Sequence, residues 1–284
     1  MNIIRLIFTL LLFLVVIGLA GAAAYLAYNW YTQHQIAGAP MILSNTTTTL
    51  RYIDTNGTIK IASWNMQRFG LTKANNEALM TYYTTKLKDY DVIILQEVTD
   101  ETGYAVKKMC YMMSGYTCKA SDRRGNTTYQ EQYLLMYKTG TIQLISYKDN
   151  PTEPGYQRPP YTALLKAGNW TFELTTIHTT PTAVHSELYN LQLEVLDDWV
   201  GDKIVIGDLN GDCAYYPKII DFTSWSWVND QDTTVAATTT CAYDRIIIND
   251  ATMNNYVTYG VMSDVKPTQS DHYLLYGVFK DTEA

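Results

Sequence analysis

Lys203-Ile-Val-Ile-Gly-Asp-Leu-Asn-Gly-Asp-Cys213 decides how the chain is read. Ile204, Val205 and Ile206 run without a polar interruption into Gly207, Asp208, Asn210 and Asp212. A strand covered on one face alternates apolar and polar side chains, whereas an unbroken apolar run reads as a strand covered on both. The polar residues then sit at the strand's end, where layered α/β folds hold ligands because rigid elements fix several side chains around one point. A plain strand followed by an Asx turn has the same letters. The reading therefore turns on whether other strands end the same way.

They do. Upstream, Ile59-Lys-Ile-Ala-Ser-Trp-Asn65 reads as a strand tipped by Asn65, with Gln67, Arg68, Phe69 and Gly70 following. Asp91-Val-Ile-Ile-Leu95 runs into Gln96-Glu97, and Tyr129 to Tyr137 is a strand whose first turn carries Tyr129 and Glu131, with Thr141 to Tyr147 as a plausible neighbour. Tyr161 to Lys166 and Trp170 to Ile177 form a hairpin around Ala167-Gly168-Asn169 that ends at His178. Downstream, Ala242 to Ile248 is a strand starting at Asp244, and His272 to Phe279 is the last strand, beginning at Asp271-His272. Helical spacing covers Lys73 to Lys88, Glu101 to Met113 and, most clearly, Thr182 to Val200, with a short helix at Pro217 to Phe222. Arg123-Arg-Gly-Asn, Pro151 to Pro160 with Arg158, and Asp232 to Thr240 read as loops.

With 284 residues, 47% hydrophobic and 17% charged, the chain has material for a substantial core, and no break in composition marks a second one. A net charge of −7 argues against a bulk electrostatic grip on nucleic acid, so a polyanion must be met by a local patch or by bound cations. After Arg5, the apolar run Leu6 to Tyr28 is long enough to cross a ~30 Å hydrocarbon core as a helix. Two readings fit: a cleaved signal peptide with small residues Ala20 to Ala23, or an uncleaved anchor with Tyr25, Tyr28, Trp30 and Tyr31 at the interface. No Lys or Arg follows Arg5 until Arg51, which puts the body of the protein outside the cytoplasm, extracellular or lumenal. Residues 1–33 are thus the signal segment, 34–57 a Thr- and Asn-rich stalk, and 58–284 the domain. Asn45, Asn56, Asn126 and Asn169 begin N-glycosylation sequons. The cysteines number four, which allows disulfides in an oxidising compartment, reduced buried thiols being the other reading. Cys110 and Cys118 are placed to staple a helix to the next strand.

The strand tips collect Asn65, Glu97, Glu131, His178, Asp208, Asn210, Asp244, Asp271 and His272. Carboxylates and an Asn carbonyl are hard ligands that suit Mg²⁺, Mn²⁺ or Ca²⁺ rather than a soft-ligand zinc site. Two histidines beside carboxylates make acid–base pairs, each imidazole oriented by its acid. Such a set fits metal-assisted cleavage of a phosphodiester.

Trp64-Asn65-Met-Gln-Arg-Phe-Gly70, Ile94-Leu-Gln-Glu97-Val, Tyr129-Gln-Glu131-Gln-Tyr133, Ile177-His178-Thr-Thr-Pro181, Gly207-Asp208-Leu-Asn210-Gly-Asp-Cys213, Cys241-Ala-Tyr243-Asp244-Arg245 and Ser270-Asp271-His272-Tyr together resemble the ordered motifs of the endonuclease/exonuclease/phosphatase superfamily, in its deoxyribonuclease I family. The resemblance implies an α/β fold of the α+β kind, a four-layer αββα sandwich of two packed mixed sheets, which the N-terminal hydrophobic helix read from Leu6 to Tyr28 precedes. It implies Glu97 as principal metal ligand, with Asn65 close by and Asp271 as a further ligand, for Mg²⁺ or Mn²⁺ with Ca²⁺ in addition. His178 pairs with Glu131 and His272 with Asp244 as acid and base, in an order left open. Asp208 and Asn210 meet the scissile phosphate or a second cation. Tyr129, Arg158 and Tyr243 match substrate contacts, Cys213 and Cys241 a disulfide, and Asp232 with Thr234 part of a structural calcium site. The implied substrate is DNA, nicked to leave 5′-phosphate ends.

The chain departs from the family's pattern at Thr99 and Gln67, where arginines are expected, although Arg68 adjoins Gln67. A glycan on Asn126 would crowd the DNA groove: either that sequon is unused or the substrate is not ordinary duplex DNA. Two other functions remain open at this level. One is a superfamily phosphoesterase acting on a lipid or other phosphodiester, and the other a non-catalytic surface protein that retains the fold.

Overall fold

The computed structural model describes residues 57–197, 201–236 and 238–282. The segment 1–33, nearly all of the stalk, and the sequons at Asn45 and Asn56 lie outside the described residues. Among those described, no helix is long and apolar enough to cross a membrane.

Two six-stranded sheets face each other. The first has the order β11-β12-β1-β2-β4-β3, with β1 (Thr58–Phe69), β2 (Val92–Val98), β3 (Tyr116–Ala120), β4 (Gln132–Lys138), β11 (Tyr256–Met262) and β12 (Leu274–Lys280). The second has the order β5-β6-β7-β8-β10-β9, with β5 (Ile142–Asp149), β6 (Tyr161–Ala167), β7 (Trp170–Thr176), β8 (Asp202–Asp208), β9 (Ser226–Trp227) and β10 (Asp244–Ile248). Helices α1 (Leu71–Ala74), α2 (Glu77–Leu87) and α3 (Tyr104–Met112) belong to the first sheet's outer side, and α4 (Val184–Asp197) to the second's. A single turn, α5 (Asp250–Met253), follows β10.

The unbroken apolar runs explain the layering. Successive side chains on a strand point to opposite faces. Ile61, Val92, Ile94, Leu135, Ile204, Ile206 and Ile246 meet between the sheets. Their neighbours Ala62, Ile93, Leu95 and Leu134 turn out under α2 and α3, joining Met80, Tyr83, Leu87 and Met109. Val205 and Ile247 turn out under α4, onto Val184, Leu188, Leu191 and Val195. Three apolar interfaces separate four layers, as the continuous runs require.

Topology brings the polar tips together. β1 runs parallel to β2 and β7 parallel to β8, so all four end at one pole. β4, β10 and β12 are antiparallel to β2, β8 and β1, so their first residues start at that pole.

Some local expectations are revised. The span Lys73 to Lys88 is two helices, because Asn76 accepts from the Leu79 amide through its side chain and starts α2 afresh. Pro217 to Phe222 is not helical. The Tyr216 hydroxyl accepts from the amides of Ile220 (3.0 Å) and Asp221 (2.8 Å), and the Phe222 amide donates to Gln192, which draws those N–H groups out of any helical ladder. The strand expected from Tyr129 begins at Gln132, preceded by a bridge between Arg124 and Glu131. Both disulfides form: Cys110–Cys118 joins α3 to β3, and Cys213–Cys241 closes a sequence separation of 28.

Candidate active site

His178 follows β7 at its parallel end, and Asp208 ends the adjacent β8. Bringing them together requires Gly207, where a Cβ would collide with the Ile177 carbonyl oxygen. His178 Nδ1 lies 3.0 and 3.1 Å from the two oxygens of Glu131, and its Nε2 is 3.4 Å from Asp208 Oδ2. His272, just before β12, mirrors this: Nδ1 is 2.7 Å from Asp244 Oδ2 and Nε2 is 3.5 Å from the same Asp208 Oδ2. Each dyad takes its imidazole from one sheet and its acid from the other, so both exist only once the sheets have packed. A carboxylate on Nδ1 fixes each ring's orientation and turns Nε2 inward.

Asn65 joins this centre to Glu97. Its Nδ2 donates to Asp208 Oδ2 (2.9 Å) and to Glu97 Oε1 (3.0 Å), while its Oδ1 accepts from the Gln67 amide (2.9 Å). The amide thus presents nitrogen, not oxygen, to the two carboxylates, and in this arrangement Asn65 bridges them. Glu97 Oε2 accepts from the Arg68 amide and the Tyr129 hydroxyl, both at 2.9 Å. Burial pushes the Glu97 carboxyl up, but the His178 charge and these hydrogen bonds outweigh it and hold the group below the usual range, ionised and oxygen-rich. Gln67, Arg68, Glu97 and Asn210 all have positive φ, from 44° to 56°. Such backbone is sparsely populated by non-glycine residues and gathers where a site over-determines it. Asn210 is held by its amide on Asp208 Oδ1 (3.1 Å) and its Nδ2 on the Thr179 carbonyl (2.9 Å).

The charges of the centre favour protonated imidazoles. Burial opposes protonation of His272, yet Asp244 and Asp208 outweigh it and its pKa is pushed up to about 10. His178 shifts the same way: burial is outweighed by Glu131 and Asp208, with Arg158 working against them. Asp208, buried but facing both imidazoles and Asn65, is held below the usual carboxylate range. Asp208, Asp244 and His272 are grouped tightly enough to suggest a metal site, their ligand atoms lying within 4.8 Å. The 2.7 Å contact between Asp244 and His272 Nδ1, however, makes those two an acid–imidazole dyad. Glu97 and Asp271 are further carboxylates near this centre, both acting on the charge of Lys73, and carboxylate oxygens are the donors a hard divalent cation takes.

Other expected residues take defined places. Tyr129 stands beside Glu97 with the Arg68 guanidinium 5.6 Å from its ring centre. Arg158 turns its fork onto the carbonyls of His178 (2.9 Å) and Thr179 (2.8 Å) and lies 3.8 Å from Glu131, so it braces one dyad. Tyr243 packs its ring 5.2 Å from that of Tyr215. Asp232 Oδ1 accepts from the Thr234 amide and hydroxyl and from the Cys241 amide. Thr234 forms a bridge with His272, so this loop supports the second dyad directly. Asn126 and Asn169 are exposed.

Several contributors escape sequence reading. Ser270, fully buried, donates to the Asn65 carbonyl (2.7 Å) and accepts from the His272 amide (3.1 Å). Tyr133 accepts the His178 amide at 2.9 Å. Lys73 donates to the carbonyls of Met66 and Gln269, both at 2.8 Å; burial lowers its pKa to about 8 against the pull of Asp271 and Glu97. Arg124, in the expected loop, is nonetheless only 1% exposed and pairs with Asp149 and with the carbonyls of Pro159 and Pro160. Arg123 donates to the Thr99 carbonyl (3.2 Å), placing a cation beside the position where the family pattern has an arginine. Ser270 and Tyr133 already stood within the quoted motifs; Lys73 and the two arginines carry no local signal.

No family model matches the chain. It is 34% identical over 213 residues to deoxyribonuclease-1-like 1 of Chlorocebus aethiops, covering 67% of this chain and 70% of that one. It is 30% identical over 261 residues to deoxyribonuclease-1 of Mus musculus, covering 76% and 90%. Among solved structures, a humanized D. rerio TDP2 shares the fold with a TM-score of 0.61 at 16% identity, over 79% of this chain and 99% of that one. With sequence, layering and paired dyads in agreement, the chain belongs to the deoxyribonuclease I family and is a phosphodiesterase.

Proposed function

We propose that the protein is a divalent-metal-dependent endonuclease that hydrolyses DNA phosphodiester bonds outside the cytoplasm and leaves 5′-phosphate ends. The observation that carries this is the convergence of two acid-partnered imidazoles, at 3.4 and 3.5 Å, on one oxygen of Asp208, with Glu97 tied to the same oxygen through Asn65. A phosphate set among these groups would face both Nε2 atoms. One imidazole, in its neutral form, takes the proton of the attacking water; the other, protonated, gives its proton to the departing 3′ oxygen. Glu131 and Asp244 hold the rings and balance each imidazolium. Asp208, with the Asn210 amide and side chain fixing its loop, draws both Nε2 atoms to one point, the bare Nε2 of the base and the Nε2–H of the acid. Glu97, with Asp271, would hold Mg²⁺ or Mn²⁺, which supplies a positive charge against the developing phosphate charge. Asp232 and Thr234 are proposed for a structural Ca²⁺.

The setting follows from two disulfides, exposed sequon asparagines at 126 and 169, and the Leu6 to Tyr28 run, which we assign to a signal or a membrane anchor. Supercoiled plasmid incubated with the protein and Mg²⁺ is expected to be nicked, with nicking abolished by chelator and by Glu97→Gln. The new 5′ ends should accept a labelled phosphate only after phosphatase treatment. Turnover of a lipid phosphodiester without nicking would replace this reading with a lipid phosphoesterase.

A further inference from the structure

Lys73 stands on α1, directly after β1, and its ammonium is shared between two loops of the site. Nζ donates to the Met66 carbonyl and to the Gln269 carbonyl, both at 2.8 Å. Met66 lies between Asn65, which bridges Asp208 and Glu97, and Gln67, whose amide holds the Asn65 side chain. Gln269 opens the run Gln269-Ser-Asp-His272, and its carbonyl takes a second bond from the Tyr83 hydroxyl of α2 at 2.7 Å. Ser270 runs alongside, its hydroxyl donating to the Asn65 carbonyl at 2.7 Å. Two consecutive carbonyls of one loop are thus tied to the loop that carries His272, one by Ser270 and one through Lys73. The tie falls where the backbone needs holding, because Gln67 and Arg68 follow at once with φ of 44° and 56°. An ammonium suits the position: its three donors point apart, so it can take two carbonyls from different directions, and a charged donor makes bonds roughly twice as strong as a neutral one. Burial works against that charge, while Asp271 and Glu97 draw it in. His178 has other supports, Tyr133 on its amide and Arg158 on its carbonyl.

Resting on the nuclease reading, we propose that Lys73 is a positioning residue for the reaction: by spanning the Met66 and Gln269 carbonyls it sets where the His272 imidazole stands relative to Asn65 and Asp208. It acts through the backbone of two loops and not on the reacting atoms. Its loss lets the two loops part, so that His272 is displaced while His178, braced by Tyr133 and Arg158, keeps its place.

The test uses the full chain with its four histidine rings labelled, and reads their imidazole resonances by NMR in chelator. Lys73→Met is expected to displace the His272 resonance and to leave those of His178 and His185 where they are. Tyr83→Phe, which takes one donor from Gln269 and none from Met66, should move His272 less. In Mg²⁺, Lys73→Met should lower kcat for plasmid nicking on the order of 10- to 100-fold with KM within about twofold, the pattern of a misplaced reacting group rather than of lost binding. If Lys73→Met does not fold, the same readings are taken on Lys73→Gln, which keeps a neutral donor and should shift His272 in the same way by a smaller amount. An unmoved His272 resonance, equal displacement of His178, or a rise in KM with kcat unchanged overturns the proposal. A shift confined to His272 in a protein whose parent nicks no DNA would overturn the nuclease reading and leave the clasp standing.

Discussion

The two imidazole dyads reach the same oxygen by different routes. His178 leaves the end of a central strand, its amide held by Tyr133, its carbonyl by Arg158 and its Nδ1 shared between both oxygens of Glu131. His272 sits in a loop, makes one short contact to Asp244, and depends on Ser270, Thr234 and the Trp64 indole, which donates to its carbonyl at 2.8 Å. The first is built into the sheet and flanked by a cation; the second is latched from outside and surrounded by carboxylates. A ring can therefore be oriented by strand geometry or by a few hydrogen bonds around a loop, and the two should fail differently.

The largest effect expected is from removing either ring. His178→Ala and His272→Ala should each lower kcat by ~10²–10⁴-fold, the range for a positioned acid or base, as measured by plasmid nicking. Next, the supports should separate the dyads. Arg158→Leu leaves two carbonyls without their donor and Glu131 without its neighbouring cation, and should cost about 1–3 kcal/mol in urea denaturation as well as activity. Ser270→Ala should lower kcat by roughly tenfold while costing only about 1 kcal/mol, because its loss frees a loop rather than a strand end. If the two variants show the same balance of stability and activity loss, the distinction fails.

Proton linkage sharpens it further. His272 has its pKa pushed up to about 10, against about 6.5 unfolded. Its contribution to stability is therefore complete below pH ~6.5 and is lost as pH rises through about 10. Thermal melts across that window should show a decline that Asp244→Asn flattens and Glu131→Gln alters less, since Arg158 already opposes protonation of His178. A decline unchanged in Asp244→Asn would mean that His272 is not the group responsible.

Which parts were legible follows from the same physics. Strands covered on both faces announce themselves, so β2, β8 and β10 and their polar tips could be read from unbroken apolar runs, and β1 and β7 from alternation or short apolar stretches that end at Asn65 and His178. β11 could not. It is an edge strand, half exposed along its length, with Gly260 in the middle where any Cβ would strike the Tyr276 ring. The bend at Pro217 to Phe222 was hidden because it is set by Tyr216 and Gln192 side chains rather than by its own period. The burial of Arg124 was hidden for a related reason: its partners Asp149, Pro159 and Pro160 are distant in sequence, and a charged residue in a Gly-Asn loop is ordinarily solvated. Sequence shows which residues end strands; only packing shows which of them are braced.

Kinetics of the His178→Ala/His272→Ala double variant on supercoiled plasmid, set against both single variants and the parent, tests most directly whether the dyads act on one phosphate as a unit. Groups that serve one transition state are strongly non-additive. The double variant should be no more than about tenfold slower than the slower single one. Losses that multiply in full, or a single variant that nicks at the parent rate, would contradict a shared site at Asp208.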